Sequence, residues 1–191
     1  LTPSKDFKSK IDYTSFYLQD EITIGDKFIF TLGARYDKHE NFGAEVSPKA
    51  YLVYKLNDYN RIKGGYGHGF NAPSLTQNSD SYVLQYPIDT TVMPMQFYRF
   101  HGNSELKPEI SDSFEIGYEY NKNSDIFKTT FFYTKVKDLI TYKDNGTTLS
   151  FPIAYQEKLY SNVNRATIFG FEAEYDKKNI LSNLDIYAGY G

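Results

Sequence analysis

The chain has 191 residues, with 21 Lys+Arg against 24 Asp+Glu and a formal net charge of −3, which excludes a nucleic-acid partner because phosphate binding needs a basic surface. Aromatic residues make up 18%, with 19 Tyr, 15 Phe and no Trp, yet the mean hydropathy is −0.55. No run approaches the ~18 apolar residues of a spanning helix, and the absence of cysteine removes disulfides and thiolate metal sites.

In chain order, residues 12–24 show a weak period-two alternation and residues 28–37 a clear one. Phe28, Phe30, Leu32, Ala34 and Tyr36 share one face there, with Thr31, Gly33, Arg35 and Asp37 on the other. Weaker alternation follows at 49–56 and 61–70. The clear pattern returns at 111–120, where Phe114, Ile116, Tyr118 and Tyr120 oppose Ser113, Glu115, Gly117 and Glu119. Residues 126–137 repeat it weakly, then Phe169, Phe171, Ala173 and Tyr175 alternate against Gly170, Glu172 and Glu174, and 184–190 ends the series. This predicts about eight strands. Their Tyr, Phe, Thr and Ile content favours a pleated surface over a helix. Runs of ~10 residues match a tilted membrane crossing better than the ~5–6 of a soluble strand.

The predicted connections alternate in length. Short ones fall at 25–26, 57–60, 121–124 and 177–183, a medium one at 38–47, and long ones at 71–108 and 138–158. Successive connections of an up-and-down sheet lie at opposite ends, so the short ones gather at one rim and the long ones at the other. The expected fold is therefore all-β: an antiparallel up-and-down transmembrane β-barrel in a bacterial outer membrane, with short periplasmic turns, long extracellular loops and an outward-running strand from Phe28. Soluble sandwiches and lipocalin-like barrels are the competing architectures. The opening residues lack a signal-peptide pattern and 186–191 read as a strand in progress, so the chain is expected to be part of a longer protein.

Three passages together resemble the TonB-dependent outer-membrane receptors, in particular the ferric-siderophore and colicin-receptor branch. They are Gly33-Ala34-Arg35-Tyr36-Asp37, preceded by Tyr17-Leu18-Gln19-Asp20-Glu21; Gly69-Phe70-Asn71-Ala72-Pro73-Ser74-Leu75; and Gly102-Asn103-Ser104-Glu105-Leu106-Lys107-Pro108-Glu109, followed by Ser113-Phe114-Glu115-Ile116-Gly117. The similarity extends through Asn162 and Gly170-Phe171-Glu172. Asn71 stands where the family usually has a basic residue, and Ser104 replaces a proline. The resemblance implies that residues 1–191 are part of a 22-stranded receptor barrel, with about eight strands present, and that an amino-terminal plug and energy-coupling segment would precede residue 1. It also implies a ferric siderophore as ligand, the TonB energy-coupling complex as partner through that missing plug segment, contact with outer-membrane lipid, and exploitation by a bacteriocin or phage.

The long connection at 71–108 holds Tyr82, Tyr86, Phe97, Tyr98, Arg99, Phe100 and His101 among few other charges. Rings pack against catechols and a cation offsets an anionic complex, so Arg99, Tyr98, Phe97, Tyr82, Tyr86 and His101 are the candidate ligand-binding residues. The competing reading is that these rings only pack the loop. His101 is the candidate axial ligand if the cargo is haem, while His39 and His68 lack metal-ligand spacing, so no direct metal site is expected. No intrinsic cofactor is expected, the iron being carried within the siderophore. Gly64-Gly65-Tyr66-Gly67-His68-Gly69 is not a dinucleotide fingerprint, since Asn71-Ala72-Pro73 blocks the helix that must follow. No serine sits in a nucleophile-elbow context, so an enzyme is not expected. The expected function is energy-dependent uptake of a ferric siderophore, catecholate favoured. Alternatives are a haem receptor of the same family and a self-contained eight-stranded barrel acting as an adhesin or anchor.

Overall fold

The computed structural model describes residues 10–181 and 184–191. It contains ten strands and, among the described residues, no helix: β1 (Tyr13–Ile24), β2 (Phe28–His39), β3 (Gly43–Lys55), β4 (Asn60–Asn71), β5 (Val83–Asp89), β6 (Met95–His101), β7 (Glu109–Lys122), β8 (Asp125–Ser150), β9 (Ile153–Leu181) and β10 (Leu184–Tyr190). All belong to one sheet ordered β1-β2-β3-β4-β7-β8-β9-β6-β5, with β10 on β9. Eight strands form the wall, as the alternation predicts, and β5 and β6 are additional.

Register explains why these residues need a membrane. The pairs Leu18↔Ala34, Phe28↔Tyr54, Phe30↔Leu52, Tyr66↔Phe114, Ile116↔Phe131 and Phe131↔Phe171 put the large apolar side chains in continuous rows on one face. Those rows remain uncovered, Leu18 being 78% and Phe169 76% exposed, and among the described residues the buried hydrophobics are only Leu106 and Ala154. A sandwich would seal these rings between two layers. Here nothing among the described residues covers them, and lipid is the solvent that removes their cost.

The opposite face is polar and internally paired. Arg35 donates to Asp37 (2.8 Å), which also accepts from Ser15 (2.6 Å) and Tyr13, and Asp37 is only 2% exposed. Lys63 and Arg61 both bridge to Glu119. Rings lie over bare backbone here: the Tyr51 ring occupies the space a Cβ at Gly65 would need, and Phe132 does the same at Gly170. Close packing across strands is thus why part of the glycine run exists.

Four expectations are corrected. The medium connection at 38–47 is a tight turn, because β2 runs to His39 and β3 restarts at Gly43. The long connection at 138–158 is mostly strand: β8 and β9 stay paired from Lys137↔Arg165 to Ser150↔Ile153, with one register shift between Asp144 and Thr147. The long connection at 71–108 carries the β5–β6 hairpin, and β6 pairs with β9 in parallel, the one parallel pairing among the described strands. Finally, among the described residues the sheet does not close on itself, β1 pairing only with β2 and β10 only with β9, so they do not form a self-contained eight-stranded barrel. The expected turn at 177–183 lies partly outside the described residues, β9 continuing to Leu181.

Candidate functional site: a two-faced extracellular sheet

Beyond the wall, the outer halves of β8 and β9 join β6 and β5 in a four-stranded sheet. The sequence of β6, Met-Gln-Phe-Tyr-Arg-Phe-His, is aromatic and β-prone. Asp89 holds the hairpin turn, accepting from the Thr91 amide at 2.8 Å and its hydroxyl at 2.6 Å. The 102–108 segment ties the hairpin to the wall. Asn103 donates to the Tyr160 carbonyl (2.9 Å), and the Asn162 amide bonds the Lys107 amide, the Lys107 carbonyl and the Asp138 carbonyl. Asp80 accepts from the Ser104 amide and hydroxyl, which holds its carboxyl below the usual range. Gly102 has no room for a side chain, since a Cβ there would collide with the carbonyl oxygens of Ser79 and Thr76.

Strand alternation divides the six candidate residues between two faces. The cross-strand pairs Arg99↔Glu157 and Phe97↔Tyr155 place Phe97, Arg99 and His101 on one side. Arg99 donates from Nε to Glu157 Oε2 at 2.9 Å and from Nη2 to Oε1, and its guanidinium lies 4.2 Å above the Tyr155 ring. His101 Nε2 stands 2.7 Å from the same carboxylate. Glu157 is 6% exposed, and the bonds from Arg99, aided by His101 and Thr148, hold its carboxyl down at about 2. The cation that the sequence offers for a ligand is thus neutralised inside the protein, clamping β6 onto β9.

The other face carries Tyr98 and, by the pair Tyr86↔Tyr98, Tyr86, while Tyr82, just ahead of β5, comes close to Tyr160 of this face. Phe100 is its centre. It packs edge-on to Tyr142 (5.3 Å between centroids) and Tyr86 (6.4 Å), and tilted against Tyr98 (6.0 Å) and Tyr160 (6.4 Å). Into this group reaches Lys158, its ammonium 5.3 Å from the Tyr98 ring and 5.8 Å from Tyr142. Lys158 is 14% exposed while its ion-pair partner Asp144 is 83% exposed. Asp144 raises the lysine, and burial among Tyr82, Tyr142 and Tyr86 raises the Tyr160 phenol, so at neutral pH the site offers one ammonium and a neutral hydroxyl donor. Positions 158, 160 and 162 continue the row of Gly170, Glu172 and Glu174 with no register shift between them, which is the polar face of the wall.

Chemically, this second face is a cation set among aromatic planes with a replaceable counter-ion, suited to a flat-ringed anion. Sequence reasoning missed Lys158, Tyr142, Tyr160 and Glu157. The sequence carries little signal for them, because 155–160 (Tyr-Gln-Glu-Lys-Leu-Tyr) shows no period-two alternation of apolar and polar residues. Both sides of that ribbon are polar, so the apolar row that marks a strand in the wall is lacking.

The profile of the family described as "TonB dependent receptor-like, beta-barrel" matches residues 1–191. The chain belongs to that family. A TonB-dependent receptor barrel crosses the outer membrane, so the exposed apolar rows face lipid and the two-faced sheet stands outside the cell. The barrel is 30% identical over 142 residues to the ferric enterobactin receptor PirA of Pseudomonas aeruginosa, covering 72% of this chain and 19% of that protein. It is also similar to the hemin receptor of Yersinia pestis, 27% over 197 residues, covering 94% and 28%. The crystal structure of the siderophore receptor PirA from Pseudomonas aeruginosa superposes with a TM-score of 0.80 at 24% identity, covering 95% of this chain and 34% of that one. The chain therefore spans about a third or less of the proteins it matches. The family consists of transport receptors.

Proposed function

We propose that this barrel serves energy-dependent uptake of a ferric siderophore of the catecholate type, captured at the Lys158 face of the extracellular sheet. The observation that carries the reading is the Lys158 ammonium held among Tyr98, Phe100, Tyr142 and Tyr160 with an exposed, displaceable Asp144 as its only ion-pair partner among the described residues. A ferric tris-catecholate is a ringed anion, so its catechols stack on the tyrosines while its charge replaces Asp144. The similarity to a ferric enterobactin receptor supports the same chemistry. Tyr82, Tyr86 and Tyr98 belong to this contact, whereas Phe97, Arg99 and His101 support it from behind. The iron travels as cargo inside the chelate, and its release inward is coupled to the TonB complex through a plug.

Haem is the weaker reading because the candidate imidazoles are engaged: His101 with Glu157, His68 with Asp112, and His39, which accepts from the Asn41 amide. The test is titration of the full-length receptor, read by tyrosine fluorescence, with ferric enterobactin and with haemin. Quenching by ferric enterobactin, weakened about tenfold in Lys158→Gln by loss of one charge-assisted contact, is the expected outcome. Quenching by haemin alone, or an unchanged affinity in Lys158→Gln, overturns it.

A further inference from the structure

The outward face of the wall carries a second charged feature just beyond the apolar band. On β7, β8 and β9 the row Phe114, Tyr133, Phe169 is the outermost row of three aromatic residues on that face, and the next two rows outward are Asp112, Lys135, Thr167 and then Ile110, Lys137, Arg165. These residues line a shallow recess of about 440 Å³ together with Val136 and Ala166. Lys135 stands about ten residues out from Ile126, the length (~9–11) a tilted strand uses to cross the hydrocarbon layer. The recess therefore sits at headgroup level in the outer leaflet.

Its charge is unbalanced. Lys137 is paired directly across the ladder with Arg165, an arrangement that repels. Lys135 lies about 7 Å along the strand from Lys137. Among the described residues, neither Lys137 nor Arg165 enters an ion pair, and Lys135 lies 5.5 Å from the Tyr133 ring and across the ladder from Asp112, whose charge it feels. The one carboxylate on this face of the recess, Asp112, is occupied by the Tyr66 hydroxyl (2.7 Å) and His68 Nδ1 (2.9 Å). Three cations thus share one committed anion.

We infer that Lys135, Lys137 and Arg165 bind the phosphorylated headgroup of an outer-leaflet lipid whose acyl chains lie along Phe114, Tyr133 and Phe169. Charge complementarity requires an anion of more than one charge. Continuity with the lipid-facing rows requires that the anion carry hydrocarbon, which separates this site from the ligand face on the opposite side of the sheet. The inference does not depend on the identity of the transported chelate.

The experiment is native mass spectrometry of the full-length receptor in detergent, titrated with bis-phosphorylated lipid A, with its dephosphorylated form, and with inorganic phosphate as competitor. Removing each cation is expected to weaken binding about fivefold, so Arg165→Gln loses about fivefold and Lys137→Gln with Arg165→Gln about thirtyfold. Lys122→Gln, at the opposite end of β7, is expected to leave lipid A binding unchanged. Heat-modifiable electrophoretic mobility checks that each variant is folded, and Arg165→Gln alone decides if the double variant is not. Equal binding of the dephosphorylated lipid, competition by inorganic phosphate at matching concentrations, or unchanged binding in Arg165→Gln overturns the inference.

Discussion

Glu157→Gln removes the anion that clamps the β5–β6 hairpin to β9 while keeping the side-chain shape. The carboxyl is held at about 2 against its ordinary 4.5, and at 6% exposure water screens it little. A shift of that size corresponds to about 3 kcal/mol at ~1.4 kcal/mol per unit. The amide keeps one acceptor for Arg99 or His101, so the expected loss is about 2–3 kcal/mol, within the range for breaking a buried pair. The membrane-spanning parts of the eight wall strands do not use this contact, so the loss appears locally. Hydrogen exchange on the full-length receptor is expected to show β6 amides, Met95–His101, losing protection by about 30- to 150-fold, with β2 and β3 unchanged. A carboxyl whose native value is depressed contributes fully above its unfolded value and loses that contribution as pH falls toward the native one. Protection of β6, corrected for intrinsic exchange, is therefore expected to be equal at pH 7 and pH 5. Wild-type-like β6 protection in Glu157→Gln, or a tenfold fall between pH 7 and pH 5, refutes the clamp as described.

Three further outcomes follow from the same geometry. Gly102→Ala drives a Cβ into the carbonyls of Ser79 and Thr76 and is expected to cost about 1–3 kcal/mol of loop stability, seen as faster proteolysis within 74–82. Asn162→Leu orphans the amide and carbonyl of Lys107 and the carbonyl of Asp138, a loss of about 2–3 kcal/mol at ~1 kcal/mol per bond; exchange should rise at 103–107 and stay constant at 111–120. Phe100→Ala empties the centre of the Lys158 face and is expected to cost about 2 kcal/mol, less than a fully buried ring, together with weaker ferric enterobactin quenching.

The wall was legible because one solvent imposes one rule. Between the short turns and the outer rim every second residue meets lipid, so 28–37 and 111–120 display their faces openly in sequence. Past Lys137 and Arg165 that constraint ends. Tyr142, Asp144, Lys158 and Tyr160 form a strand pair with polar groups on both sides, and the sequence of such a ribbon looks like a loop. The candidate site was half legible for a related reason. The rings and the cation of β6 were visible, but Glu157 lies 58 residues from Arg99, and only the parallel pairing of β6 with β9 reveals that Arg99 is neutralised and Lys158 takes its place among the rings. The tight turn at 40–42 hid because Pro48 and Glu45 do not look like strand residues, although the register Asp37↔Glu45 and Ala34↔Pro48 places both in one.

Spin labels placed one at a time along β8, from residue 127 to 137 in the full-length receptor in lipid bilayers, address the sided wall directly, and no native cysteine within residues 1–191 competes for the label. Oxygen accessibility should peak at the odd positions through 133 and a polar relaxation agent should be favoured at the even ones, with the oxygen peaks vanishing from 135 outward. Uniform access to the polar agent at Phe127, Phe131 and Tyr133 would mean that these rings face water or protein, and the membrane-barrel account could not stand.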